Sequence, residues 1–114
     1  MQFFHQLLAF ISLLAVSNAC LILDGFMTYD KKGFTGTLND NGTEVCKWNI
    51  IELNSPSNFA NCLPGFAAYI TNDATIVGYS NHGKEFAFRT RISTIPAYPG
   101  LPINFSVTAK NYGC

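Results

Sequence analysis

The chain has 114 residues, with seven basic and seven acidic side chains and a formal net charge of zero when histidine is neutral. Nucleic-acid binding depends on phosphate neutralisation by Lys and Arg, so this balance argues against a nucleic-acid-binding protein and against a polybasic membrane surface. One domain is expected at this length, and so small a core is marginal unless disulfides support it.

The first 19 residues predict a secretory signal peptide, because they contain no Lys, Arg, Asp or Glu and an apolar run at 7–16 precedes small or polar residues at 17–19. The run is shorter than the roughly 20 residues that span a bilayer. We therefore expect cleavage after Ala19, a single secreted domain over 20–114, an extracellular location and no membrane anchor.

Four cysteines follow the predicted cleavage site: Cys20, Cys46, Cys62 and Cys114. An even number in a short secreted chain is typical of disulfides, whereas zinc-binding cysteines usually come as closely spaced pairs. Three pairings are possible, and the sequence does not decide between them. We favour Cys20–Cys114 across the termini and Cys46–Cys62 closing a short loop, and we expect no metal and no cofactor.

The remaining chain predicts β-strands, since no window sustains a helical apolar period and turn residues recur at intervals of roughly 8–12 residues. We expect an all-β fold, a small antiparallel sandwich or barrel of about seven strands with two disulfides. The predicted strands, in chain order, are 21–29, 34–38, 43–53, 66–70, 75–80, 84–92 and 104–110.

Alternation within these segments assigns faces to the strands. In the segment 84–92 the inward set is Phe86, Phe88, Thr90 and Ile92, and the outward set is Glu85, Ala87, Arg89 and Arg91. In the third strand Cys46 and Trp48 share a face, so the predicted disulfide would lie beside the tryptophan. Glycine and asparagine tolerate the positive φ of tight turns, which predicts turns at Asp30–Gly33, Asn39–Gly42, Asn72–Ala74 and Asn81–Gly83.

The candidate catalytic residues centre on His82, the one histidine after the predicted signal peptide. Any Ser–His–acid or Cys–His arrangement would need this residue, and no G-x-S-x-G motif accompanies it. A ribonuclease-like reaction could use His82 and Glu85 for proton transfer and Arg89 to hold phosphate. Because alternation places Glu85 and Arg89 on a solvated strand face, we favour a protein that is not an enzyme and keep this set as the alternative.

The candidate binding residues are Tyr98, Arg89 and Arg91. Tyr98 lies among prolines in a stiff loop, and an aromatic side chain held this way loses little entropy on binding. The two arginines suit an anionic partner. The triplets N-G-T at Asn41 and N-F-S at Asn104 are candidate glycosylation sites.

Two resemblances add to these patterns. Tyr29, Phe34 and Gly36 follow a spacing, Y-x-x-x-x-F-x-G, that resembles the signature of βγ-crystallin Greek keys. That family can bind calcium through a loop ending in Thr-Ser or Ser-Ser. The stretch "NDNGTE" at 39–44 lacks the final serine, so no calcium is predicted.

The overall layout resembles that of small secreted cysteine-containing effector proteins of plant-associated fungi. The shared points are the apolar leader, the start "ACLI", the four cysteines and the closing "YGC". The resemblance implies action outside the producing cell, on or inside a host or against competing microbes. Because no convincing catalytic set is found, we expect a monomeric, secreted, non-enzymatic interaction protein, effector- or toxin-like, that acts through surface binding to a host or microbial protein or polysaccharide. A small ribonuclease-like hydrolase and a cell-wall or carbohydrate-binding protein are the alternatives.

Overall fold

A computed structural model describes residues 20–54, 56, 58–95 and 104–111, and these residues form β-strands and turns without a helix. The predicted all-β class is confirmed. The described strands are β1 Leu21–Met27, β2 Phe34–Asp40, β3 Thr43–Ile50, β4 Asn61–Cys62, β5 Phe66–Ile70, β6 Ile76–Asn81, β7 Lys84–Arg89, β8 Arg91–Ile95 and β9 Asn104–Asn111.

The strands form two antiparallel sheets. The larger sheet has six strands in the order β4-β3-β2-β1-β9-β8, and the smaller has three in the order β5-β6-β7. Alternate residues of each strand point to one shared hydrophobic core, whose largest fully buried members include Trp48, Phe34, Leu21, Ile70 and Val77. The remaining positions of these strands face outward.

The structure corrects the predicted strand count, because nine strands replace the expected seven among the described residues. One new strand is the short β4. The other arises because 84–92 is not one strand: Thr90 interrupts it, donating its backbone N–H to Thr75 O and its hydroxyl to Ala74 O. As a result β7 stays in the small sheet while β8 pairs with β9 in the large one.

The predicted turns at Asn39–Gly42 and Asn81–Gly83 are confirmed as two-residue hairpin loops. The register pairs Asp40 with Thr43 and Asn81 with Lys84. The intervening residues all have positive φ: 51° at Asn41, 86° at Gly42, 49° at His82 and 88° at Gly83. Such values match the right-handed twist of the flanking strands. His82 is thus a turn residue.

Two glycines inside strands allow the aromatic core to pack. Gly25 on β1 pairs with Gly36 on β2, and a Cβ on either would come within 2.9 Å of the tip of the Phe34 ring. That ring meets Trp48 edge to face at 5.7 Å between centroids. Gly36 therefore lies inside a strand, where the absence of a Cβ leaves room for the Phe34 ring. Tyr29 is 59% exposed in the β1–β2 connection.

The predicted Cys46–Cys62 disulfide is confirmed, and it joins directly paired residues of β3 and β4. The predicted position beside Trp48 is also confirmed, since both Cys46 and Trp48 are fully buried. The second predicted bridge, Cys20–Cys114, includes Cys114, which lies outside the described residues, so one disulfide is seen within them rather than two. The predicted signal peptide at 1–19 lies outside them as well.

A buried asparagine that the sequence did not single out anchors the long β3–β4 connection. The Asn58 carbonyl accepts hydrogen bonds from Trp48 Nε1 at 3.0 Å and from the Ile70 backbone N–H at 3.2 Å. Its side-chain amide accepts from Asn54 N–H and donates to Asn72 Oδ1. The connection is therefore fixed to both sheets.

No helix in the described part of the chain is long and apolar enough to cross a membrane.

Candidate functional site

The two arginines predicted as binding residues line one concavity on the outer side of the large sheet. Arg89 and Arg91 are joined there by Lys110, and the concavity has a volume of about 610 Å³. We call it the cationic concavity; its full lining is Ile22, Leu23, Asp24, Arg89, Thr90, Arg91, Thr108, Ala109 and Lys110. The sequence predicted the arginines but not Lys110, which lies in a strand distant along the chain.

Strand register explains why these side chains meet. Thr108 on β9 pairs with Arg91 on one side and with Asp24 on the other, which makes a row across three strands. Leu23 and Val107, which directly precede Asp24 and Thr108 in their strands, are buried in the core. The row therefore faces outward, because successive side chains of a strand point to opposite faces.

Lys110 lies two residues beyond Thr108 on β9, on the same outward face, and pairs with Ile22 of β1. Arg89 lies two residues before Arg91, at the end of β7, and lines the same concavity as Lys110. The break at Thr90 thus leaves Arg89 on β7 and Arg91 on β8, on two sheets, around one concavity.

The charges in this concavity are exposed and not neutralised locally. Within the described residues, the side chains of Arg89, Arg91 and Lys110 form no hydrogen bond or ion pair, and neither does the side chain of Asp24. Three cations and one carboxylate therefore face a shared space. A guanidinium can donate two parallel hydrogen bonds to a carboxylate, sulfate or phosphate group, so the arrangement can hold an anion.

The structure does not bring the alternative catalytic residues His82 and Glu85 together. The His82 ring meets Phe66 edge-on at 5.1 Å, and Phe66 stacks on the buried Tyr79 of the inner face. Glu85 pairs with Ser80 on the outer face of the same sheet. The two side chains consequently lie on opposite sides of the small sheet, and Arg89 lies in the cationic concavity.

His82 instead ends a hydrogen-bonded chain between the two sheets. His82 Nδ1 bonds to Asn81 Oδ1 at 2.6 Å, while Asn81 Nδ2 donates to Asp40 Oδ2 at 3.3 Å and the Tyr79 hydroxyl donates to the same oxygen at 2.6 Å. We call these four residues the inter-sheet junction. Burial, followed by the hydrogen bond to the Asp40 carboxylate, raises the pKa of Tyr79.

Sequence reasoning missed Asp40, which it assigned to a turn. Asp40 is only 8% exposed and continues the inward series Phe34, Gly36 and Leu38 of β2. The period of two could have found it, because extending the series by one step places the carboxylate on the core face.

A second concavity, of about 460 Å³, lies on the outer face of the small sheet. Its floor consists of the small residues Ala67, Gly78 and Ala87, and Tyr69 flanks it. Phe59, which is 62% exposed, packs on Tyr69 with 5.0 Å between the ring centroids. This face carries Glu85 as its one charged lining residue.

The two candidate glycosylation residues occupy different surroundings. Asn41 is exposed at the β2–β3 hairpin tip, where its Oδ1 accepts a hydrogen bond from the Cys20 backbone N–H at 2.9 Å. Asn104 is half-buried at the start of β9, opposite Ile95. Glycosylation at both stays a prediction. The third candidate binding residue, Tyr98, lies outside the described residues.

In the described part of the chain, no group of three or more His, Cys, Asp or Glu side chains is placed to hold a metal ion. Comparison of the chain with models of known protein families, with curated proteins and with solved structures found no match.

Proposed function

We propose that this protein is a secreted, non-enzymatic interaction protein, effector- or toxin-like, which acts on a host or a competing microbe by binding an anionic partner in the cationic concavity. The observation that carries the proposal is the convergence of Arg89, Arg91 and Lys110 from three strands on one concavity. The two sheets around one core further support a sandwich rather than a barrel.

The grouping of the cations supports binding better than any of them would alone. A single exposed charge pair contributes little, because solvent and salt screen it. Several cations around one concavity act on the same anionic group or chain, and two of them are arginines with a rigid fork of donors. None of the three has a partner within the described residues that a ligand would have to displace.

The surroundings of His82 support a non-enzymatic role. Its Nδ1 is bonded to Asn81, its ring edge meets Phe66, and its backbone N–H donates to Gly65 O at 2.7 Å. These contacts give His82 a structural role in the β6–β7 hairpin turn. The Cys46–Cys62 disulfide supports an oxidising compartment outside the cytosol.

The proposal is tested with the purified native secreted protein, applied to host tissue and to competing microbial cells. We expect retention on the target to fall about tenfold or more in Arg89→Ala/Arg91→Ala, since each charge-assisted hydrogen bond is worth about a factor of ten. Lys47→Ala is the matched control, because Lys47 is an exposed cation on β3 outside the concavity.

Thermal unfolding of each variant should match the native protein, because both arginines are exposed and surface substitutions change stability by about 0.5 kcal/mol or less. Retention and phenotype unchanged in the double variant would contradict the proposal. Cleavage of RNA by the native protein that disappears in His82→Ala would instead establish the ribonuclease-like alternative.

A further inference from the structure

We infer that the ligand of the cationic concavity is an acidic oligosaccharide, a short chain of sugar rings that carry carboxylate or sulfate groups. The inference rests on the proposed function and narrows it to one class of partner. Four features of the same site carry it: its size, its single carboxylate, the exposed Ile22 in its lining and the absence of aromatic residues from that lining.

The size and spread of the site fit several anionic groups on one chain. A volume of about 610 Å³ lies within the range of about 300–1,000 Å³ typical of ligand sites, well beyond what one inorganic anion fills. The three cations stand on β7, β8 and β9, which belong to two sheets, so more than one anionic group of a single chain can reach them.

Asp24 distinguishes an acidic sugar from a ligand that is anionic throughout. Its carboxylate faces the same concavity, in one row with Thr108 and Arg91, and an ionised carboxylate only accepts hydrogen bonds. A polyphosphate or a run of acidic peptide residues would set like charge against it. A sugar ring offers hydroxyl donors to Asp24 and Thr108 while its acidic group meets the arginine.

The rest of the lining agrees with this chemistry. Ile22, 36% exposed, pairs with Lys110 and offers an apolar contact to the C–H face of a sugar ring. RNA also combines anionic and hydroxyl groups, but its single strands bind through bases stacked on aromatic side chains. The lining of this concavity, which lies wholly in the described part of the chain, has no aromatic residue.

Calorimetric titration of the native secreted protein tests the inference with defined probes: a short oligogalacturonate, its methyl ester, a sulfated dextran oligosaccharide, polyglutamate and polyphosphate. We expect at least one acidic sugar to bind, and the methyl ester, which keeps the hydroxyls but loses the charge, to bind about tenfold or more weakly than the oligogalacturonate. Preference for the uronate or for the sulfated sugar identifies the source of the anionic group, and either supports the inference.

Three variants make the result specific to the site. Lys110→Ala should weaken acidic-sugar binding about tenfold, while Lys47→Ala leaves it unchanged. Asp24→Ala should weaken the acidic sugar several-fold, because an acceptor for hydroxyl groups is lost, yet strengthen any residual polyphosphate or polyglutamate binding, because a repulsive charge is removed. The opposite signs separate an acidic sugar from a purely anionic ligand.

Polyglutamate or polyphosphate binding as tightly as the acidic sugars, or acidic-sugar binding that strengthens in Asp24→Ala, would overturn the inference. Failure here is distinct from failure of the proposed function. If neither acidic sugar binds although Arg89→Ala/Arg91→Ala abolishes retention on target cells, the inference falls and the proposed function stands. If retention survives that double variant, the proposed function falls and the inference with it.

Discussion

The cationic concavity and the inter-sheet junction are both clusters of polar side chains, but they use their hydrogen-bonding groups in opposite ways. In the junction, Asp40, Tyr79, Asn81 and His82 bond to one another. In the concavity, Arg89, Arg91, Lys110 and Asp24 have no hydrogen-bond or ion-pair partner within the described residues. The junction is self-sufficient, whereas the concavity leaves its charges available to a ligand.

The difference follows from burial. A buried carboxylate such as Asp40 loses its water and needs protein donors to compensate, whereas the exposed Asp24 stays solvated. For the same reason, rarity in the sequence did not mark the residues of the candidate site. The single histidine of the predicted mature chain belongs to a turn, while ordinary surface cations form the candidate site.

We expect the largest effect from Asp40→Ala, which removes the carboxylate acceptor of the inter-sheet junction. It leaves the Tyr79 hydroxyl and the Asn81 amide without their acceptor, and we expect a loss of about 2–4 kcal/mol in the free energy of unfolding. The matched control is Asp24→Ala on the neighbouring strand β1, where the loss should be about 0.5 kcal/mol or less. Urea unfolding measures both, and equal losses would show that the junction does not stabilise the fold.

A smaller effect is expected at Gly65, which adjoins the His82 end of the junction. Gly65 has a φ of 87°, and a Cβ there would overlap the His82 imidazole. Gly65→Ala should cost about 2 kcal/mol in the free energy of unfolding, through backbone strain and this overlap.

The double variant Gly65→Ala/His82→Gly tests how much of the loss in unfolding free energy comes from the overlap between the added methyl group and the His82 imidazole. Because the imidazole is removed and glycine suits the positive φ of the turn, we expect Gly65→Ala to cost about 1 kcal/mol less in the His82→Gly background than in the native one. Additive losses in a double-mutant cycle would show that His82 does not pack against Gly65.

The smallest effect concerns two exposed carboxylates that, unlike Asp24, are hydrogen-bonded. The Thr28 hydroxyl and the Lys32 N–H hold the pKa of Asp30 below its usual 3.8, and the Thr75 and Thr71 hydroxyls do the same for the pKa of Asp73. Because the folded pKa is depressed, their contribution to stability is present above pH 3.8 and is lost as the pH falls below it.

Acid titration of the unfolding free energy measures this contribution. Asp30→Asn/Asp73→Asn should be less stable than the native protein above pH 3.8, and the difference should shrink on further acidification. A constant difference across the titration would contradict the linkage.

Much of the fold was predictable because local patterns determine it. Period-two alternation found the strands, and Gly and Asn found the hairpin turns, since both signals depend on neighbours along the chain. The pattern failed at Thr90, where alternation continues through the break from β7 to β8. A strand that leaves one sheet for another keeps its period of two, so sequence alone does not show the change of partner.

The sequence by itself determined the all-β class, the hairpin positions and the outward direction of Arg89 and Arg91, whereas the Cys46–Cys62 pairing was one of three that it allowed. Only the tertiary structure decided that Lys110 and Asp24 join those arginines, that Asp40 binds Tyr79 across the sheets, and that His82 and Glu85 lie on opposite faces. The reason is physical: alternation assigns a residue to a face, but strand order and register decide which residues share that face.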